Sequence, residues 1–400
     1  MRLYRVLREW LLALGVISLV VAPNASAAPQ IFERAAIFPA NPKHNHASCV
    51  VETKEGDLLA AWYSGSGERK ADDVVIEGAW LAKGKAAWGP KFRMADTPGY
   101  PDCNPALFAA PDGSLWLFWP TILDHRWEGA LLKYARCEHP SGGPDSPKWS
   151  RMGVLHITPT DFAREMQRAI TALSAEEKNK YRSQLREVDE RSRDELYQRL
   201  GWMPRVHPIA LPSGRWILPL YSDTFSASIM AISDDRGETW TASRPLIGFG
   251  NIQPSLVRKN DGVLVAFMRD NGPHRRIRIS TSKDDGVAWS PVVDSPFPNP
   301  GAGIEAIRLA NGHWVLVYND LPRGRHSLAI SLSDDEGASW KWTRHVERCA
   351  PGQGQFHYPS VIQASDGSIH VTYTSSRPGL GSTIAHARFS EAWISSGDEE

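Results

Sequence analysis

Cysteine is scarce in this chain: four residues in 400, at Cys49, Cys103, Cys137 and Cys349. No two stand in a CxxC spacing, and none shares a zinc-type spacing with histidine, so a zinc knuckle and a dithiol redox motif are both excluded. Neither charge is in excess, since 45 Lys and Arg balance 45 Asp and Glu. That balance lacks the basic footprint that nucleic acid or an anionic membrane surface demands. No cofactor motif occurs and no oxygen-rich loop has EF-hand spacing, so neither a cofactor nor a metal is expected. Long apolar runs are absent after the first 27 residues. There, Arg2, Arg5 and Arg8 precede an apolar stretch from Trp10 to Val21 and a small-residue site at Ala25-Ser26-Ala27. This reads as a cleavable secretory signal over 1–27, with a mature chain from Ala28 in the periplasm or medium and no membrane contact after cleavage. Export permits disulfides, and free thiols fit the same count.

Tryptophan, by contrast, is abundant, with 16 residues. Each indole N–H needs a partner when buried, so the number implies a repeated structural role, a sugar-stacking role, or both. A repeat is present. Six segments read strand, Gly turn, aromatic-rich strand, with turn glycines at Gly56, Gly113, Gly214, Gly262, Gly312 and Gly367. Four of them carry Asp-Gly or Asn-Gly, whose glycine accepts the positive φ a tight hairpin requires. Three hairpins are followed by Ser-x-Asp-x-Gly-x-x-Trp, starting at Ser233, Ser282 and Ser333. In that box the Asp carboxylate can accept backbone N–H groups across the turn, which explains Asp235, Asp284 and Asp335 without a metal. Six such units predict an all-β fold, a six-bladed β-propeller filling 28–400 as one domain. The interval between Gly113 and Gly214 is too long for one blade. The charged, helix-forming stretch at about 160–200 predicts a helical insertion between blades two and three, either a lid over the site or a solvated excursion. A first strand near Ile31–Phe38 is expected to complete the last blade.

In a propeller the innermost strands line a central channel, so residues at equal offsets from the turn Gly converge. Nine before it stand Ala47, Asn104, Arg205, Gln253, Gly303 and Tyr358; His46 lies ten before, with His44 close by. Seven after it stand Tyr63, Pro120, Tyr221, Arg269, Asn319 and Thr374, with Asp320 one further. So many polar groups on one axis are what a sugar site requires. Glu305, two residues deeper than Gly303 and of the same alternation parity, faces the channel as a base or as half of a buried ion pair.

The repeated boxes and their placement after DG-type hairpins resemble the Asp-box (BNR) repeats of the sialidase superfamily, over nearly the whole mature chain. The resemblance implies a Tyr nucleophile, a Glu that activates it, an Asp acid/base and three Arg that grip a sialic acid carboxylate; a Tyr nucleophile is a known departure from two-carboxylate glycoside hydrolysis. On this chain Tyr358, in HYPSVIQASDG, matches the nucleophile and Arg269 a carboxylate-binding Arg. Asp72 or Asp73, in GSGERKADDVVI, matches the acid, and Arg325 or Arg323 the third Arg. Arg205 supplies another cation. The pattern departs in two places: His46 stands in HNHAS where an Arg belongs, and Gln253 in NIQPSLV replaces the activating Glu. Three functions follow as expectations. The first is an exported exo-sialidase-type hydrolase of an acidic sugar, with His46, Asn104 and Gln253 orienting it. The second is a uronate-directed lyase or other glycosidase, with His44 or His46 as base. The third is a non-catalytic carbohydrate-binding propeller. In each the partner is a glycan.

Overall fold

A computed structural model of the chain describes residues 30–398; the expected signal at 1–27 lies outside them. Every Gly-centred hairpin joins the two innermost strands of an antiparallel sheet, and six such sheets form the six blades. The innermost strands are His44–Glu52, Ala106–Ala109, Asn251–Arg258, Glu305–Arg308 and Gln355–Gln363 for blades one, two, four, five and six. In blade three it is split into Met203–Pro204 and Ile209–Ala210. The expected closure is present: Phe32–Ala36 pairs with Gly381–Phe389, so the start of the described chain supplies the outer strand of the last blade. Radial closure turns each blade's inner edge strand toward the channel, where it is protected, and ties first blade to last.

The second strand of each hairpin is buried on both faces, as in Leu58–Gly65, Leu115–Ile122 and Trp216–Ser222. This explains why those segments read as nearly continuous apolar runs. Most of the tryptophan is structural. Trp62, Trp80, Trp116, Trp119, Trp202 and Trp314 are among the largest fully buried side chains. Trp116 stacks on Phe118 at 5.8 Å and meets Trp216 edge-on at 5.8 Å, which joins blade two to blade three.

The insertion forms four helices, Phe162–Ala172, Ala175–Lys180, Arg182–Ser192 and Glu195–Arg199. Phe162 and Met166 anchor the first of them beside Trp202 and Phe225. Arg191 reaches Glu128 at 3.4 Å, beside the turn Trp127–Gly129. The helices therefore buttress a wall of the channel mouth. All four cysteines are free thiols.

The three Ser-x-Asp boxes are turn braces. Asp235 accepts from Ser233 Oγ at 2.8 Å and from the Thr239 N–H at 2.9 Å, and Asp335 repeats this with Ser333 and Ser339 at 2.8 Å each. Ser233 Oγ in turn accepts the Gly237 N–H. Hydrogen bonds from Thr239 and Ser339 hold both carboxyls down, at about 2 against an ordinary 3.8. A carboxyl depressed in the fold contributes stability above pH 4 that is lost as pH falls through 2. The melting temperature should therefore drop between pH 4 and pH 2, and less steeply in an Asp235→Ala/Asp335→Ala double variant. Parallel acid slopes in scanning calorimetry would refute the brace.

Candidate active site at the channel mouth

The inner strands reach the channel mouth with an irregularity in the same place. Their pairing slips between His46 and Cys49, between Ile252 and Ser255, and between His357 and Ser360. At the slip, Ala47, Gln253 and Tyr358 take left-handed backbone, at φ 54, 55 and 55, as does Asn104 at φ 42. These are the positions nine before the turn Gly. A bulge adds a residue and re-aims side chains, so in these four blades the strand end is turned toward the channel axis. In blade five the position is Gly303. A Cβ there would stand 3.2 Å from Gln253 Oε1, 3.4 Å from Arg205 Nε and 3.5 Å from Tyr358 Cδ1, so the glycine leaves room in the floor.

The pocket above this floor has a volume of about 610 Å³, within the range of small-ligand sites. Tyr358 is its centre. Arg269 Nη1 donates to Tyr358 Oη at 2.5 Å, and Gln253 Nε2 approaches the same oxygen at 3.3 Å. Three guanidinium groups surround the ring, with Arg205, Arg325 and Arg269 at 5.0, 5.6 and 5.8 Å from its centroid. Tyr221 Oη accepts from Asn104 at 3.2 Å and from Gln253 at 3.3 Å, which leaves its own proton for a bound molecule. His46 packs 4.2 Å from the Tyr358 ring and shares a 2.9 Å hydrogen bond with Thr374 Oγ1. His357, the residue ten before its turn Gly as His46 is, lies 4.9 Å from His46. Burial, then the neighbouring imidazoles and arginines, hold both pKa values well below the ordinary imidazole range. His46 is thus neutral and does not replace an Arg as a charge. His44 lies at the rim on Tyr63 Oη, at 3.2 Å, with its pKa lowered by burial.

Of the expected residues, His44, His46, Asn104, Tyr221, Gln253, Arg269, Arg325, Tyr358 and Thr374 line this pocket. Arg205 lies beneath, donating to the Ser48 and Pro359 carbonyls at 2.9 and 2.7 Å. Five residues do not reach it. Asp72 is exposed and paired with His125 at 2.6 Å. Asp73 is tied to the Ser66 N–H and hydroxyl, which lower its pKa and disqualify it as a proton donor near neutrality. Asn319 braces the Ser327 and Phe356 carbonyls. Asp320, of opposite parity, turns away to His345 at 2.8 Å. Glu305 faces the channel one layer lower, where His207 Nδ1 lies at 2.5 Å and the Val361 N–H at 2.6 Å.

Two carboxyls in the pocket escaped the sequence reading. Glu68 stands in the same loop as Asp72 and accepts from Tyr63 Oη at 2.9 Å. Asp223 lies two residues past Tyr221, just beyond the strand end at Ser222, and Asn271 stands likewise past Arg269, just beyond the strand end at Asp270. Period-2 alternation was the available signal. Burial pushes the Asp223 carboxyl up to about 6, against the opposing pull of Arg269. Trp127, the remaining aromatic of the wall, sits under the Arg69 guanidinium at 5.0 Å. Among the described residues no group of three His, Cys, Asp or Glu is placed to hold a metal.

The BNR repeat-like domain family matches residues 56–371, so the chain belongs to this family, within the sialidase and BNR-repeat superfamily. An anhydrosialidase of Macrobdella decora is 25% identical over 187 residues, 40% of this chain and 23% of that protein. The chain thus matches about a quarter of that relative's length. In fold it is similar to the NanB sialidase of Streptococcus pneumoniae, with TM-score 0.68 at 13% identity, covering 90% of this chain and 71% of the other. The intramolecular trans-sialidase of Ruminococcus gnavus gives TM-score 0.66 at 14% identity, covering 90% and 97%. A protein of unknown function from Dyadobacter fermentans gives 0.65 at 17%, covering 90% and 98%.

The Glu305–His207 contact is a buried pair. Burial opposes the imidazolium, yet Cys49 and Glu305 hold the His207 pKa well above its ordinary value. Its contribution is complete below pH 6.5 and is lost as pH rises through the raised value. Glu305→Ala should cost about 3 kcal/mol of unfolding free energy and flatten this alkaline loss. Urea unfolding followed by tryptophan fluorescence measures both, and an unchanged midpoint would return Glu305 to the list of catalytic candidates.

Proposed function

We propose that this protein cleaves a glycosidic bond next to an acidic sugar, with Tyr358 as the reacting group. The observation that carries the reading is the set of three guanidinium groups around Tyr358, with Arg269 on its hydroxyl. Arg269 and Arg325 face the pocket and suit a carboxylate on the substrate. A phenol approaches an anomeric centre beside that carboxylate with less repulsion than a carboxylate nucleophile would. As the Tyr358 oxygen bonds to the anomeric carbon, it gives its proton to the neutral His46 ring packed against it, and the bond to the leaving oxygen breaks. Arg269 stabilises the partial negative charge that the phenolic oxygen carries while its proton departs. Gln253 carries no negative charge and only orients Tyr358 and Tyr221. Asp223, with its raised pKa, supplies the proton to the leaving oxygen. It takes one back from the water that then displaces Tyr358, whose oxygen recovers its proton from His46. Glu68, bonded to Tyr63, helps keep the Asp223 pKa up. The similarity to sialidases supports hydrolysis of a sialic-type sugar. We place the mature enzyme outside the cytoplasm, beginning at Ala28; N-terminal sequencing of the exported product checks this.

One observation favours a second chemistry. The neutral His46 beside Tyr358, with arginines to neutralise a carboxylate, also suits proton abstraction and elimination from a uronate.

Product analysis by mass spectrometry decides between the two. Free sialic acid supports hydrolysis, and an unsaturated uronate supports elimination. Turnover of neither class, with sugar binding retained, would overturn both. Arg269→Ala should lower kcat/KM by about a hundredfold or more, as for loss of a transition-state donor. With Asp223 as the acid, kcat/KM falls as pH rises through about 6. In Asp223→Asn that limb should disappear along with most of the activity.

A further inference from the structure

A second cavity, of about 1010 Å³, opens beside the Tyr358 pocket and shares His44, Arg325, Gln355, Ser376 and Ser382 with it. The two are therefore one continuous depression, larger than a single sugar needs. Its electrostatics are one-sided. Lys43, Arg323, Arg325 and Arg377 line it, and none of its lining residues is Asp or Glu. This is unusual for a chain of zero net charge. Elsewhere the arginines are commonly neutralised, as Arg136 is by Asp112, Glu138 and Glu238. Lys43, Arg323 and Arg377 have no ion pair among the described residues, and all three are exposed. Arg325 is held at the border by the Gly301 carbonyl at 2.7 Å. Four prolines, Pro42, Pro300, Pro351 and Pro378, fix φ at points along the walls.

We propose that this groove binds the next unit of the substrate, and that this unit carries its own carboxylate or sulfate. The preferred substrate is then an anionic oligosaccharide chain, not an acidic sugar capping a neutral glycan. The inference rests on the acidic-sugar reading of the Tyr358 pocket and extends it to a second anion. Cations on a concave, carboxylate-free wall concentrate a chain of that charge and align it with the inner site.

The test is binding of fluorescently labelled hexasaccharides to the mature protein at low and high salt. The probes are hyaluronan, which carries only carboxylates, sulfated chondroitin, which carries both groups, and neutral chitohexaose. The anionic probes should bind more tightly than the neutral one, with a preference that shrinks as salt screens the charges. In Lys43→Gln/Arg323→Gln/Arg377→Gln that preference should fall about tenfold, the worth of three exposed ion pairs. Arg323→Gln alone, at an exposed side chain, should show part of the loss if the triple variant folds poorly. Equal binding of hyaluronan and sulfated chondroitin identifies carboxylate as the recognised group, and binding of chondroitin alone identifies sulfate. Equal affinity for chitohexaose, or a preference unchanged in the variants, overturns the groove. The inner site is read separately. Binding lost in Arg269→Ala but kept in the triple variant leaves the Tyr358 pocket standing and removes the groove; the opposite pattern keeps the groove and removes the acidic-sugar reading of the pocket.

Discussion

The site depends on one backbone device, the left-handed bulge at the mouth end of the inner strands. Ala47, Asn104, Gln253 and Tyr358 all adopt it, and for residues other than glycine each instance costs on the order of 1–3 kcal/mol. Such a cost persists only where the surroundings fix the chain. Here the closed ring does so, because every inner strand is held by its own hairpin partner and packed between neighbouring blades. Without the bulge, strand alternation would leave Gln253 and Tyr358 stacked along the channel wall instead of directed into its mouth. The contacts of Arg269 and Gln253 with the phenol exist only because strands from blades four and six are turned to the same point.

Below the mouth, the same strands build a second layer two residues deeper. Cys49, His207 and Glu305 stand seven before their turn glycines and meet across the axis, with Cys49 Sγ at 3.2 Å from His207 Nε2. Ser255 and Ser360 hold the same offset and brace the Ala306 carbonyl and the Val50 N–H of neighbouring blades. This layer fastens blades to each other, while the Asp boxes fasten turns within blades. The chemistry-bearing mouth thus sits on a layer in which Cys49, His207, Glu305, Ser255 and Ser360 bond from blade to blade.

Charge is distributed against this frame. Cations gather at the mouth and along the adjoining groove, while burial keeps His46 and His357 neutral. Their imidazoles fill space around Tyr358 without adding repulsion to an already positive site. The carboxyls are confined to one side, at Glu68 and Asp223. Asp223 keeps a raised pKa although Arg269 and Arg69 oppose it, because withdrawal from water outweighs both guanidinium groups.

By itself the sequence determined the all-β repeat, the six blades, the closing strand and the place of the helical insertion. It also marked nine of the residues that line the pocket. All of these follow from local rules: glycine turns, alternation, and equal offsets in equivalent strands. The tertiary structure decided which of several polar residues at or near one offset is exposed to the pocket and which is consumed in bonding. Asn319 and Arg269 share an offset, yet Asn319 is spent on two carbonyls while Arg269 faces the pocket. Loop geometry decided that Glu68, and not Asp72 or Asp73, turns inward, because Ser66 and His125 hold the two aspartates outside. The acidity of Asp223 and the neutrality of His46 come from burial among residues distant in the chain, a property that no local pattern of residues carries.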